Sequence, residues 1–280
     1  MDKKTLYHYS DVDGFFNIIK NKKLWLSGPH NLNDHQEVNW AKNKIASTFQ
    51  RLEKMYAREH IEYLWLLYAN NGLTPFTCSL SSEGDLLSQW RAYARDGTGV
   101  SIGFNSSLLP NSGTIPHHNA APSASITTMQ VVYDDAEQDE TIETILSSAL
   151  EAAKSNQNWQ ADDRLIYATT QLNALTTTYK NSAFREESEW RIIHTPMIMA
   201  YQNTSKHAFH SGISDIKHRT SNGKIITYFE YDFSSLIKDK IITEIILGPK
   251  CAIQNYDLNL FLAMNELEYI QIRRSSATYR

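Results

Sequence analysis

Cysteine is almost missing from this chain: Cys78 and Cys251 are the only two among 280 residues. Each sits in an apolar, strand-like run, so neither a disulfide framework nor a zinc knuckle is available, and buried free thiols in a reducing compartment are expected. Long apolar runs are missing as well. The longest, residues 61–69, falls far short of the roughly 20 residues a membrane span needs. Lys3 and Lys4 near the start are followed by no apolar stretch, so no secretory signal is read, and a soluble, cytoplasmic protein without a membrane partner is expected. Excess basic charge is lacking too: the net charge is −4, which gives no general attraction to phosphate backbones, and generic nucleic-acid binding is not expected. Metal motifs are absent. His117 and His118 fall in a loop, His207, His210 and His218 are scattered, and no HExxH or CxxC pattern occurs, so no metal is expected. Gly97-Thr98-Gly99 lacks a third glycine and precedes a strand, and there is no nucleophile elbow.

What is present is apolar and aromatic. Hydrophobic residues make up 41%, with 6 Trp, 15 Tyr and 10 Phe, enough for one large core or two closely joined ones. Short strands are predicted at 6–9, 24–26, 75–80, 100–104, 126–133, 190–194, 225–233, 242–247 and 269–273, from β-branched or alternating apolar patterns. Helices are predicted after an Asp11 cap, through 35–70, at 85–95, from about 137 to 154, from 159 to 180, and at 257–265. Helices and strands do not alternate regularly, which argues against a doubly wound parallel sheet. The expected fold class is α+β: a single domain over 1–280 with a mixed, mostly antiparallel sheet core, and helical segments at about 35–70 and 137–182 packed on it.

Four polar groupings are candidates for chemistry. In Tyr7-His8-Tyr9-Ser10 the strand alternation places His8 and Ser10 on one face, where both can hydrogen-bond a polar ligand; a structural histidine is the plainer alternative. Asn31-Leu32-Asn33-Asp34, with Glu37 three residues on, reads either as a helix cap or as an amide-rich loop lining a cleft. Ser79, Ser81 and Ser82 precede a helix carrying Trp90, Arg91 and Tyr93. Hydroxyls at a strand end make a seat for an anion or a ribose, and Arg91 can hold a phosphate bidentately, although plain N-capping by Ser82 fits equally. The sharpest grouping is Phe184-Arg185-Glu186-Glu187-Ser188-Glu189-Trp190-Arg191. Read as a strand start, it puts Glu187, Glu189 and Arg191 on one face, with the carboxylates about 7 Å apart. That arrangement suits a reaction that builds positive charge on a sugar ring; an ion-paired surface face is the alternative.

Taken in order, these motifs resemble the bacterial domain-of-unknown-function family 2971. The opening Tyr7-His8-Tyr9-Ser10, then Leu24-Trp25-Leu26-Ser27, Asn33-Asp34 with Glu37, and Cys78-Ser79-Leu80-Ser81 carry the likeness. So do Leu87-Ser88-Gln89-Trp90-Arg91-Ala92-Tyr93, Gly99-Val100-Ser101-Ile102-Gly103-Phe104, and Phe184 with Glu187, Glu189, Trp190 and Arg191. His35 stands where a proline is common, and residues 105–125 and 195–224 carry no family motif.

The order of residue types is also similar to ADP-ribosyltransferase-like folds, which open on a strand with His and carry a late strand with Glu or Glu-x-Glu. That looser resemblance implies NAD as substrate. His8 would bond the adenosine-side ribose, Ser79 or Ser81 with aromatic neighbours would shape the nicotinamide pocket, and Glu189 would hold the nicotinamide ribose hydroxyl, assisted by Glu187. The candidate residues are therefore Glu189 and Glu187 for catalysis, and His8, Ser10, Ser79, Ser81, Trp90, Arg91, Tyr93 and Asn33 for the nucleotide. The expected activity is an NAD-consuming ADP-ribosyltransferase or NAD glycohydrolase acting in a bacterial defence or toxin setting on an unidentified acceptor macromolecule, small molecule or water. The alternative is a non-catalytic nucleotide-binding or sensor module, in which ion pairs occupy both glutamates.

Overall fold

The computed structural model describes residues 4–28, 35–70, 75–111, 115, 122–200, 207–210, 212–221 and 223–277. It is an α+β fold on a mixed, mostly antiparallel open sheet. Strand β1 (Thr5–Ser10) leads into helix α1 (Val12–Asn21). Asp11 accepts from the Gly14 amide and caps the helix, while Phe15 and Ile19 supply its buried side. The helix stops where Lys22 turns left-handed, at φ 55°, and β2 (Lys23–Ser27) follows. Helices α2 (His35–Leu52) and α3 (Arg58–Asn70) precede β3 (Phe76–Ser81). The short α4 (Leu87–Tyr93) leads to β4 (Val100–Asn105), then β5 (Ile126–Gln130). Next come α5 (Asp135–Lys154), α6 (Asp163–Leu175) and β6 (Glu189–His194). Strands β7 (Met197–Ala200) and β8 (His207–His210) form a separate hairpin. The chain returns through β9 (Lys217–Ser221), β10 (Lys224–Asp232) and β11 (Ile242–Leu247), then α7 (Asn255–Ala263) and β12 (Gln271–Arg274).

The main sheet runs β12-β11-β4-β1-β3-β2-β10-β9, with β6 on the other side of β3 and β5 beyond it; among its described strands only β11 and β12 pair in parallel. Strand β3 is where the layout matters for function. Along one edge it pairs with β6 over its whole length, from Phe76↔His194 to Ser81↔Glu189. Along the other edge its two ends have different partners: Ser81 meets Tyr7 of β1, and Thr77 meets Ser27 of β2. Between those contacts β1 and β2 diverge around the start of α1, and the sheet carries an opening in its middle.

Two large apolar clusters hold the molecule, with a small third one around Tyr9, Trp90, Ala94 and Ile246. One follows the sheet, around Leu6, Leu26, Phe104, Ile192, Phe229 and Ile245. The other joins α2, α3, α5 and α6 through Ile45, Phe49, Leu64, Ile142, Leu146 and Leu172. Among the described residues no helix is long and apolar enough to cross a membrane. Both cysteines are buried free thiols.

The structure departs from the sequence-based expectations at named places. Residues 85 and 86 are not helical. Asp85 instead accepts from the Trp90 indole at 2.8 Å and from the Ser276 amide at 2.7 Å, tying the C-terminal segment to α4. The helix expected to reach 180 stops at Leu175, where Thr176, Thr177 and Thr178 turn their hydroxyls back onto carbonyls at 173–175. The acid segment is not strand from its start. Ser182–Glu187 is a 3₁₀ helix and Ser188 is left-handed at φ 46°, so β6 begins only at Glu189. Glu187 and Glu189 therefore do not share a strand face.

Candidate active site

The opening in the sheet is the mouth of a cavity of about 750 Å³. His8 and Ser10 come to it from β1, Trp25 from β2, Ser79 from β3, and Glu189 and Arg191 from β6. Further wall is supplied by Tyr93 at the end of α4, Lys180 and Glu187 from the segment before β6, and Arg219 from β9. The imidazole near the chain start and the acid pair near 190 thus line one space, because β3 pairs with β6 on one side and meets β1 on the other.

His8 is half-buried, and its Nδ1 lies 2.9 Å from the Ser79 carbonyl oxygen. A carbonyl only accepts, so Nδ1 carries the proton and Nε2 presents a lone pair. Burial lowers the imidazole pKa from its ordinary value, against the opposing effect of the Ser79 bond. The ring is a neutral acceptor near pH 7.

Glu189 is buried, with its carboxylate gripped on both oxygens. Arg191 Nε donates to Oε1 at 2.7 Å and Arg191 Nη2 to Oε2 at 2.9 Å, with Lys180 Nζ 3.2 Å from Oε2. Burial, the largest single effect, pushes this carboxyl up, but the Arg191 guanidinium, Lys180 and Ser79 together outweigh it and hold the pKa down at about 2. Glu187 shares the same ammonium: Lys180 Nζ is 2.5 Å from its Oε2 and lies 4.9 Å from the Phe184 ring centroid. Arg191 is anchored further by donating Nη1 to the Thr177 carbonyl at 2.6 Å. Glu189 is therefore ionised, and both acids are held in ion pairs with two buried cations.

Of the sequence-derived candidates, His8, Ser10, Ser79, Tyr93, Glu187 and Glu189 line the cavity. Ser81, Trp90 and Arg91 do not. Ser81 is buried, donating to the Glu187 carbonyl at 2.7 Å and accepting from the Glu83 amide at 3.0 Å, so it shapes the acid segment from behind. Trp90 is fully enclosed, set edge-on to Tyr9 at 4.9 Å, because its indole faces the core side of α4. Arg91 is exposed, one position round that helix from Trp90. Asn33 lies outside the described residues, as do His117 and His118. Cys78 lines the cavity, but burial pushes its thiol up to about 12, so it is no thiolate nucleophile.

Several residues of the site carried no usable sequence signal. Lys180 read as the end of an amphipathic helix. Arg219 lay in a stretch without any motif. Trp25 and Gln89 lay inside motifs whose apolar or helical reading accounted for them. Gln89 is buried and lines a small niche of about 50 Å³ beside His8, Glu187 and Glu189. That volume accommodates a water molecule. Among the described residues no group of three or more His, Cys, Asp or Glu side chains is placed to hold a metal ion.

No curated protein and no solved structure matches the chain. One family model does: residues 89–192, from α4 to β6 and including the acid pair, match the family described as protein of unknown function (DUF2971).

Proposed function

We propose that this protein is an NAD-consuming enzyme, an ADP-ribosyltransferase or NAD glycohydrolase, working in the cavity between β1 and β2. The observation that carries this reading is the convergence of His8, Ser79 and the Glu187–Glu189 pair on one open cleft whose volume of about 750 Å³ is large enough for a dinucleotide. Breaking the ribose–nicotinamide bond sends its electron pair to the pyridinium nitrogen, which becomes neutral, and leaves an oxocarbenium-like ribose. An ionised carboxylate held rigidly by Arg191 and Lys180 favours that cation without reorganising during the reaction. Neutral His8 offers Nε2 as an acceptor for a ribose hydroxyl. Glu187 meets Lys180 through Oε2 and lines the same cavity, and on this reading it takes the proton of an incoming acceptor as that acceptor bonds to the ribose carbon. Loss of NAD harms the cell in which it occurs, which suits a toxin or defence role.

The test is chromatography of free nicotinamide after incubating the protein with NAD. Wild type is expected to release it, and Glu187→Gln to release it roughly 100-fold more slowly while staying folded by circular dichroism. Absence of both nicotinamide release and any ADP-ribose label on wild type or its surroundings rejects the reading.

A second reading has its own support. Both Glu189 oxygens already accept from Arg191 and Lys180, and a carboxylate so occupied has little left for a ribose. On this reading the cavity binds a nucleotide without turning it over. A rise in melting temperature with NAD and no nicotinamide release selects it.

A further inference from the structure

Charge accounting around the cavity isolates one side chain. Lys23 is 2.8 Å from Glu230, Lys180 bridges Glu187 and Glu189, and Arg191 grips Glu189. Asp11 caps α1 and faces Arg95 at 3.8 Å. Each of these cavity charges has an opposite within reach. Arg219 does not: among the described residues no carboxylate pairs with it, and its Nε is buried without any hydrogen-bond partner. Its guanidinium lies 5.3 Å from the Trp25 ring centroid, and Trp25 in turn packs on Tyr228 at 4.8 Å.

A buried donor left unmade is destabilising, and a guanidinium resting on an indole face is fixed in plane with its fork of donors oriented. Such a group is complementary to an oxyanion that accepts two parallel hydrogen bonds, as a phosphate does. The wall also matters. Arg219 belongs to β9, which ends the strand order beyond β2 and β10, whereas Glu189 on β6 and Glu187 just before it lie on the other side of β3. A ligand phosphate is repelled by Glu187 and Glu189 and finds its uncompensated cation on the opposite side, leaving the sugar beside the carboxylates. We infer that Arg219, supported by Trp25, forms an anion subsite for the phosphate groups of the nucleotide bound in the cavity. This rests on the nucleotide reading of the cavity but not on turnover.

Calorimetric titration with ADP-ribose and with adenosine tests it. Wild type is expected to bind ADP-ribose at least about 10-fold more tightly than adenosine, and Arg219→Gln to lose that preference with adenosine affinity unchanged. Arg219→Lys, which keeps the charge and the aliphatic stem, is expected to retain part of it. Equal affinities for the two probes in wild type, failure of wild type to bind ADP-ribose, or an undiminished preference in both variants overturns the subsite. Nicotinamide release is read separately. An active wild type whose Arg219→Gln variant keeps its KM for NAD removes the subsite and leaves the enzyme reading standing. An inactive wild type with an Arg219-dependent phosphate preference does the reverse.

Discussion

His194 is fully enclosed, with Nδ1 3.1 Å from the Ser125 carbonyl and the ring edge-on to Phe229 at 4.9 Å. Burial lowers its pKa to about 4. The unfolded chain takes up this proton near pH 6.5 and the folded chain only near 4, so the unfolded state binds more protons between those values and stability falls as pH falls through that window. The loss amounts to about 3 kcal/mol for a shift of this size. Urea titrations from pH 7 to 4 are expected to show it, with a shallower slope in His194→Phe; parallel slopes would assign the pH dependence elsewhere, His8 included. Glu189 acts in a lower window. Its depressed pKa contributes stability present above its ordinary range and lost as pH falls towards 2. Lys180 is the residue on which the acid pair depends. Lys180→Ala leaves two carboxylates facing each other, Glu189 still buried, and is expected to cost about 3–5 kcal/mol in urea unfolding; a cost below about 1 kcal/mol would mean that Arg191 alone compensates the pair. Both glutamates were legible in the sequence as a pair of acids beside an arginine. Lys180 was not, because a lysine at the end of a helical pattern is ordinarily solvated, and only the turn made by Thr176, Thr177 and Thr178 carries it inward.

At the level of elements, β-branched or alternating apolar patterns were enough to read β1, β3, β4 and β11 within a residue or so. The departures came where side chains compete with the backbone or where pairing is not local. Ser188 in a left-handed conformation separates a 3₁₀ turn from β6, and nothing in Glu186-Glu187-Ser188-Glu189 announces it. Strand β9, His218 and Arg219 included, is polar and alternates only weakly, so its place beside β10 comes from register rather than propensity. Close approach is the clearest constraint at the start of β4. A Cβ on Gly99 would lie 2.1 Å from the Ser10 carbonyl oxygen, where backbone meets backbone at the edge of the cavity. Gly99→Ala is expected to destabilise by about 3 kcal/mol, measured by thermal unfolding, and to displace Ser10 at the edge of the cavity. An unchanged melting temperature would show that the α4–β4 turn yields freely.

Across the whole molecule, the sheet cluster and the helical cluster meet at the acid network. Arg191 on β6 reaches the Thr177 carbonyl just beyond α6, and the Val132 amide donates to the Thr178 carbonyl at 2.8 Å. The helical layer is thereby joined to the strand that carries Glu189. Leu146→Ala, in the middle of the helical cluster, is expected to lower stability by about 2–5 kcal/mol and to do so in a single cooperative transition followed by both Trp fluorescence and circular dichroism; separated transitions would mean that the two clusters fold independently. The α+β class was readable from the irregular order of helices and strands, whereas the strand order was not, since β3 meets three partners far apart in sequence. The forked edge of β3 has a further consequence. Its two flanking strands are fastened at Tyr7↔Ser81 and at Ser27↔Thr77, so the gap between them is bounded at top and bottom like a buttonhole. Its width is set by covalent geometry and ladder bonds before any guest arrives, and what enters gives up its own freedom while the host surrenders very little.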